Sequence, residues 1–334
     1  MPEPFIIQQR GTSTARDPRG ALPVDVDAAL DPIAEHCADP SVTDVFVNGS
    51  DGLFIDRGHG VERVPGWAAS EKEVRDLAVA LIGAGGRHLD DQSPCVDVRL
   101  SSGIRVHAVL APVSTGGTAV SVRIPRIRAA DLDALSQLGA FDDARRAWLE
   151  QLVSDRANIL ITGGTGTGKT TLLSALLHAV PDSERIVTIE DVAELRPGHP
   201  HHVALEARQS NLEGAGSITL ARLVRESLRM RPDRLIVGEC RGEEVRELLS
   251  ALNTGHDGGA GTLHASGLAD VPARLEALGA LAGMDAVALA RQAVSAFTVV
   301  LHLERGADGV RRLAQAGRFR LRDERLDIER MQPW

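Results

Sequence analysis

A glycine-rich run, GGTGTGKTT, occupies residues 163–171 between a β-branched apolar stretch and an apolar helical one. Its glycines, lysine and threonine match the pattern G-x-x-x-x-G-K-[ST]. Glycines let the backbone approach a phosphate closely, and N–H groups at a helix N-terminus then cradle it. The run therefore predicts a phosphate-binding loop, with these nucleotide-binding residues: Gly163, Gly164, Thr165, Gly166, Thr167, Gly168, Lys169, Thr170 and Thr171.

Lys169 is one of only two lysines among the 37 basic residues of the chain, the other being Lys72. A compact ammonium on a slim stem can enter such a loop, whereas the wide guanidinium that this chain otherwise prefers would not fit. We expect Lys169 to reach the β- and γ-phosphates and the Thr170 hydroxyl to bind Mg²⁺. The sequence has no guanine-reading N-K-x-D motif, so it favours Mg-ATP over Mg-GTP.

Acidic residues follow two further apolar stretches. VTIEDVAEL contains Glu190, Asp191 and Glu194, and LIVGECRG contains Glu239. The carboxyl ends of parallel strands converge on the ligand crevice, so these carboxylates would face the phosphates. Any one of them alone could simply solvate a loop end. Two clusters behind a phosphate loop favour a role in phosphoryl transfer to water.

A run of small residues, NTGHDGGAGTLHASG, places His264 directly after a strand-like GTL. A lone histidine is usually structural, but glycines before it indicate close backbone approach to another group. We expect His264 to lie within reach of a γ-phosphate.

Patterning along the chain predicts two domains. Residues 1–22 read as a flexible leader, 23–128 as an α+β domain, 129–136 as a linker, and 137–334 as a domain of alternating strands and helices with a mainly parallel sheet. In the first domain, VDVDAALDPIAEHC, residues 24–37, should be a helix, and a second helix should begin near Glu71. Val45 and Val47 should face Leu53 and Ile55 across a hairpin, and VDVRL, IRVHAVL and TAVSVRI should be strands.

Composition narrows the class of protein. The 334 residues carry a formal net charge of -9 and 3% aromatic residues without tyrosine, which opposes a nucleic-acid-binding protein. No apolar run is long enough to span a bilayer, so we expect a cytoplasmic protein. Its three cysteines form no C-x-x-C pair, so neither a disulfide framework nor a thiolate zinc site is expected.

Four segments, taken in order, resemble the motifs of the type II and type IV secretion ATPases, also called traffic ATPases. GGTGTGKTTLL resembles their phosphate loop, TIEDVAEL their Asp box, LRMRPDRLIVGECRG their Walker B motif, and NTGHDGGAGTLHAS their His box. The similarity is greatest to the tight-adherence pilus and conjugal-transfer branch and covers roughly residues 40–313. The paired C-x-x-C insertion of other branches is absent.

The resemblance implies a RecA-like P-loop ATPase domain preceded by a smaller PAS-like α+β domain, assembled as a hexameric ring with ATP at the subunit seams. It implies that Glu194 activates water, that Glu239 supports Mg²⁺ and that His264 senses the γ-phosphate. N-terminal arginines would reach the phosphates, at the matching positions Arg99, Arg105 and Arg123. These arginines alternate along strands and could equally form a solvated rim.

The expected function is Mg-dependent ATP hydrolysis that powers pilus assembly or protein secretion through a polytopic inner-membrane partner, at the inner face of the cytoplasmic membrane. Two alternatives are a nucleotide-binding regulator with negligible turnover and a nucleic-acid translocase. The set of Lys169, Glu194, Glu239 and His264 counts against a pure binder. A metal site at His199, His201 and His202 is a minor alternative, because an exposed loop offers no fourth fixed ligand.

Overall fold

The chain divides into two units. The computed structural model describes residues 28–58, 60–100, 103–124, 131–208 and 216–332. Contacts group the chain into Met1–Arg126, the N-terminal unit, and Ile127–Trp334, the C-terminal unit. The predicted leader, residues 1–22, lies outside the described residues.

A six-stranded antiparallel sheet and one long helix build the N-terminal unit. A 3-10 helix covers Ala28–Ile33 and another covers Gly49–Asp51; the other elements are α1 (Ala34–Ala38), β1 (Asp44–Asn48), β2 (Leu53–Asp56), β3 (Val61–Arg63), α2 (Glu71–Ala84), β4 (Cys95–Arg99), β5 (Arg105–Val109) and β6 (Ala119–Arg123). The strand order is β3-β2-β1-β6-β5-β4. The apolar faces of β1, β2, β4, β5, β6 and α2 share one core.

Local pattern accounts for most of these elements. Val45 pairs with Ile55 and Val47 with Leu53, which confirms the predicted hairpin. Helix α2 begins as predicted, because the Ser70 hydroxyl accepts from the Glu73 N–H while the Glu73 carboxylate accepts from the Ser70 N–H. The three predicted strands β4, β5 and β6 are also confirmed.

The structure corrects the sequence prediction at two places. A single helix was expected over residues 24–37, but the described part is a 3-10 helix containing Pro32 followed by the short α1. Residues 129–136 were expected to be linker, but helix α3 starts within them at Leu132. Asp131 caps that helix by accepting from the Ala134 N–H at 2.7 Å.

The C-terminal unit contains seven helices and eight strands within the described residues. They are α3 (Leu132–Gln137), α4 (Asp143–Ser154), β7 (Ile159–Gly163), α5 (Lys169–His178), β8 (Ile186–Glu190), β9 (His202–Glu206), α6 (Leu220–Ser227), β10 (Arg234–Cys240), α7 (Glu244–Leu252), β11 (Ala260–His264), α8 (Val271–Leu281), α9 (Ala286–Ala296), β12 (Val299–Arg305), β13 (Arg311–Arg322) and β14 (Arg325–Met331). Short 3-10 helices cover Leu228–Met230 and Leu268–Asp270.

These strands form one sheet in the order β14-β13-β12-β7-β11-β10-β8-β9. The six strands from β12 to β9 are parallel, whereas β13 and β14 continue the sheet as antiparallel strands. Helices α3, α4 and α5 share one apolar core with the sheet, and α6 to α9 share another. The mainly parallel sheet predicted from the alternation of strands and helices is therefore confirmed.

The chain connections make β7 a switch point of this sheet. From β7 the chain passes to β8, on one side, whereas β11 is followed by β12 on the other side of β7. In open α/β sheets, ligands bind outside the carboxyl ends of the strands at such a point. None of the described helices is long and apolar enough to cross a membrane.

Candidate active site

The glycine run forms the connection between β7 and α5. Gly163 has φ 150° and Gly168 has φ 95°, both in the region that favours glycine. A Cβ at position 163 would lie 2.5 Å from the Leu303 carbonyl oxygen and 2.6 Å from the Thr167 hydroxyl. The loop therefore needs glycine at both ends to turn from the strand into the helix.

Lys169 begins α5, and its ammonium folds back over the loop. Its Nζ donates to the carbonyl oxygens of Gly163 and Gly164, each at 2.9 Å. Burial lowers the pKa of Lys169, while the negative charge of Glu239 opposes that shift. Lys169 thus lies at the N-terminus of α5, where anions are favoured, and the carboxylate of Glu239 on β10 acts on it electrostatically.

Glu239 lies near the end of β10 and is half-buried. Its Oε2 accepts from Arg241 Nη2 at 2.5 Å, and the other amino group of Arg241 lies 4.0 Å from an oxygen of Asp191. The hydrogen bond to Glu239 raises the pKa of the Arg241 guanidinium. Arg241 therefore connects the two acidic segments that the sequence predicted, a role that the sequence analysis did not assign.

Glu190 ends β8 with only 5% of its surface exposed. Its Oε1 accepts from the N–H groups of Glu194 at 3.0 Å and Leu195 at 3.2 Å. Burial raises the pKa of Glu190 to about 7, although these two N–H groups favour the charged form. A Cβ at Gly238 on β10 would lie 2.5 Å from Glu190 Cγ, so glycine makes room for this side chain.

His264 ends β11 directly beside the start of the glycine loop. In the parallel pairing of β11 with β7, His264 is the partner of Gly163. The next residue, Ala265, donates its N–H to the Gly163 carbonyl at 3.4 Å. The structure therefore brings the predicted histidine to the same sheet edge as the loop.

The predicted residues of the C-terminal unit lie at the carboxyl ends of adjacent strands. The loop follows β7, His264 ends β11, Glu239 lies near the end of β10, and Glu190 ends β8. Asp191 and Glu194 follow β8, and the Glu194 backbone is held by Glu190. The sheet thus brings to one edge groups that lie 27–101 positions after Gly163 in sequence.

Thr170 and Glu239 are the oxygen donors that could hold Mg²⁺. Thr170 lies in the first turn of α5, one residue after the lysine. A hydroxyl and one carboxylate are hard oxygen ligands, and Mg²⁺ commonly takes one or two protein ligands together with substrate phosphates and waters. Among the described residues, no group of three or more His, Cys, Asp or Glu side chains could hold a metal. The residues present fit a magnesium ion shared with a nucleotide.

Two further side chains near the loop were not predicted. His302 on β12 is fully buried, and its Nδ1 lies 2.9 Å from the Thr162 hydroxyl, next to Gly163. Burial lowers the pKa of His302. Arg311 on β13 donates from Nε to the Gly166 carbonyl at 2.8 Å. No local pattern marks these residues. His302 lies on β12, which pairs with β7, and Arg311 lies on β13, which pairs with β12, so both come near the loop from more than 130 positions along the chain.

In the N-terminal unit, the three predicted arginines stand in one row across the sheet. Arg99 pairs with Arg105, and Arg105 pairs with Arg123. Valines that alternate with them are buried, so the row lies on the sheet face opposite the core. Like charges directly opposite one another are unfavourable, and an anion would relieve that repulsion.

The histidines of PGHPHH each contact a different partner. His199 Nε2 lies 3.0 Å from the Pro181 carbonyl, His201 Nε2 lies 2.7 Å from Arg185, and His202 Nε2 lies 2.9 Å from the Thr188 hydroxyl. Their ring nitrogens therefore point to separate neighbours rather than to one centre. Cys37, Cys95 and Cys240 form no disulfide bonds.

A glycine loop between strand and helix, with β11 inserted between the loop strand and the acidic strand β10, defines a RecA-like P-loop NTPase domain. It follows a smaller α+β unit, so the predicted fold class is confirmed. Residues 27–320 match the model of the family described as Type II/IV secretion system protein, and the chain belongs to this family.

Known proteins of this kind are similar over most of the chain. A putative conjugal transfer protein of Mycobacterium tuberculosis is 50% identical over 290 residues, covering 85% of this chain and 82% of that protein. The conjugal transfer protein TrbB of Rhizobium radiobacter is 32% identical over 293 residues, covering 85% and 86%. The solved structure of the pilus retraction motor PilT with bound ADP has a TM-score of 0.62 at 19% identity, covering 92% of this chain and 84% of that one, and it shows the shared fold.

Proposed function

We propose that this chain hydrolyses ATP with the help of Mg²⁺. The observation that carries the proposal is the ammonium of Lys169, which lies over a glycine loop at a helix N-terminus and faces the charge of Glu239. The loop N–H groups and Lys169 would bind the phosphates. Thr170 and Glu239 would hold Mg²⁺, which neutralises charge on the phosphates when bound.

Three other residues complete the proposed site. Glu194 would accept a proton from the attacking water. Glu190 would hold Glu194 in position, because the buried Glu190 carboxylate accepts from the Glu194 N–H. His264, beside Gly163, would contact the γ-phosphate. Catalysis would then depend on positioning and on charge neutralisation.

We further propose that hydrolysis drives pilus assembly or protein secretion. The support is membership of the secretion ATPase family and similarity to conjugal transfer proteins. In this proposal the chain works as a hexameric ring with ATP at the subunit seams, and the row of Arg99, Arg105 and Arg123 completes the site by binding phosphates. It would act in the cytoplasm at the inner face of the membrane, on a polytopic membrane partner.

The domain boundaries are part of this proposal. The sequence places the N-terminal domain at residues 23–128 and the ATPase domain at 137–334; because α3 begins at Leu132, we propose that the second domain starts there rather than at 137. Relative motion of the two domains would transmit the energy of hydrolysis to the partner.

The test is ATP turnover per protomer, measured against protein concentration with Mg²⁺ present. We expect the specific activity to rise steeply with concentration, because a seam site forms only in the assembled ring. Lys169→Ala should abolish turnover, whereas Lys72→Ala should not, since Lys72 forms only an exposed ion pair with Asp76. Equal turnover of Lys169→Ala and the wild type would refute the proposed site.

A further inference from the structure

Arg311 reaches the phosphate loop from β13, which only the strand β12 separates from β7. It is the first residue of β13 and lies 145 positions after Gly166, whose carbonyl accepts from its Nε at 2.8 Å. Its stem also covers the loop, because a Cβ at Gly168 would lie 3.3 Å from Arg311 Cδ. The side chain therefore lies against the loop, close to where α5 begins.

The two amino groups of the Arg311 guanidinium are available to bind a ligand. An arginine has five N–H donors, and the contact to Gly166 uses only the one on Nε. The side chain is exposed, and no carboxylate among the residues that the structure describes lies within ion-pair distance of it. Four N–H donors on the two amino groups thus remain at the edge of the loop.

Its neighbours on the same hairpin behave differently. Arg312 forms a two-point ion pair with Asp308, at 2.8 and 2.6 Å. Arg305, opposite Arg311 in the register, donates to the Gly309 carbonyl within the hairpin turn. Arg311 thus contacts the phosphate loop, whereas Arg312 is paired within the hairpin.

Positive charge accumulates at this point. The Arg311 guanidinium, the Lys169 ammonium and the N-terminus of α5 all meet at one loop, and Arg305 lies opposite Arg311. Like charges so placed repel one another, and an anionic ligand that sits among them removes the repulsion. A guanidinium is also suited to phosphate, because two parallel N–H groups can bind two oxygens.

We propose that Arg311 is a nucleotide-binding residue whose Nε holds the Gly166 carbonyl while its amino groups bind the phosphates of the nucleotide. This inference rests on the proposed nucleotide-binding function and adds to it a contact from the β12–β13 hairpin of the same unit. It gives the antiparallel extension of the sheet a direct role in ligand affinity.

The experiment is an equilibrium titration of the full chain with ADP and with the non-hydrolysable analogue AMP-PNP, at two salt concentrations. Arg311→Gln should weaken binding of both about tenfold, since a hydrogen bond to a charged group is lost. Its affinity should also depend less on salt, because one charge contact is missing. Arg312→Gln, the matched control on the next residue, should bind within about twofold of the wild type.

Arg311→Lys keeps the charge and should retain the salt dependence of the wild type with a smaller loss of affinity. Equal affinities of Arg311→Gln and the wild type would overturn the inference. So would a loss of affinity with unchanged salt dependence, which would mean that Arg311 only shapes the loop. If the wild type binds neither ligand, the proposed function itself fails, a result distinct from both. Unfolding midpoints without ligand should be equal for the Arg311→Gln, Arg311→Lys and Arg312→Gln variants, because both side chains are exposed.

Discussion

Glu190 and Glu239 lie at the ends of β8 and β10, which are neighbouring parallel strands, but their surroundings differ. Glu190 is 5% exposed, accepts from two backbone N–H groups and has its pKa raised to about 7 by burial. Glu239 is half-buried and paired with the exposed Arg241. The same residue type at the same sheet edge thus holds a loop in one case and, in our proposal, contacts a ligand in the other.

The difference follows from what lies opposite each side chain. Gly238 leaves room beside β8, so the Glu190 carboxylate can turn inward to the N–H groups of the following loop. Glu239 instead pairs with the exposed guanidinium of Arg241. Position in the strand therefore does not decide the role of a glutamate; burial and hydrogen-bond partners do.

The largest expected effect is on turnover when the accessible glutamate is changed. Glu239→Gln should lower kcat by about 10²–10³-fold, because it removes a charge that supports the metal and phosphates, and should leave the unfolding midpoint unchanged. Glu243→Gln, an exposed glutamate at the start of α7, is the control. A variant at position 239 that lost stability and kept its activity would reverse the roles inferred here.

The second largest expected effect is the contribution of Glu190 to the pH dependence of the free energy of unfolding. Its pKa is near 4.5 in the unfolded chain and about 7 in the fold, so the folded state binds more protons between these values. The free energy of unfolding should therefore fall as pH rises through this window, by up to about 3 kcal/mol from this group.

Urea unfolding of the wild type and Glu190→Gln at about pH 5 and about pH 8 measures the contribution of Glu190 to the free energy of unfolding. That contribution is the difference between the two proteins in how their stability changes with pH. The glutamine variant keeps an oxygen acceptor for the loop and cannot ionise, so it should lack this fall. Other titrating groups cancel in the difference. Parallel pH profiles for the two proteins would show that Glu190 does not titrate in this range.

The smallest effect concerns Arg241. Its ion pair with Glu239 is exposed on the arginine side, so Arg241→Gln should change the free energy of unfolding by less than about 1 kcal/mol. Arg229→Gln, which removes an exposed pair with Glu226, serves as the reference. A loss several times larger than that of the reference would mean that the Glu239 pair supports the fold, as Glu190 does.

Much of this site was predictable because its signals are local. The glycine loop, the acidic segments and His264 each follow an apolar strand, and parallel strands bring such ends together. The hairpin that pairs Val45 with Ile55 and the start of helix α2 near Glu71 were likewise predicted from residues close in sequence.

The parts that were missed depend on pairing between distant segments. Nothing near Arg311 or His302 in sequence marks a contact with the loop, because that contact arises from the parallel pairing of β12 with β7. The burial of Glu190 depends on Gly238 of another strand. Strand β9, whose residues are only partly buried, and the alanine-rich helices α8 and α9 were also not predicted from the sequence.

We propose that the chain is an ATPase in which Glu194 activates water and Glu190 only holds Glu194 in position. The most direct measurement is hydrolysis of bound ATP in a single turnover by Glu194→Gln and Glu190→Gln, with nucleotide binding measured in parallel. We predict that both variants bind ATP, that Glu194→Gln hydrolyses it about 10²–10⁴-fold more slowly than the wild type, and that Glu190→Gln stays within about tenfold. Hydrolysis by Glu194→Gln at the wild-type rate would contradict the account.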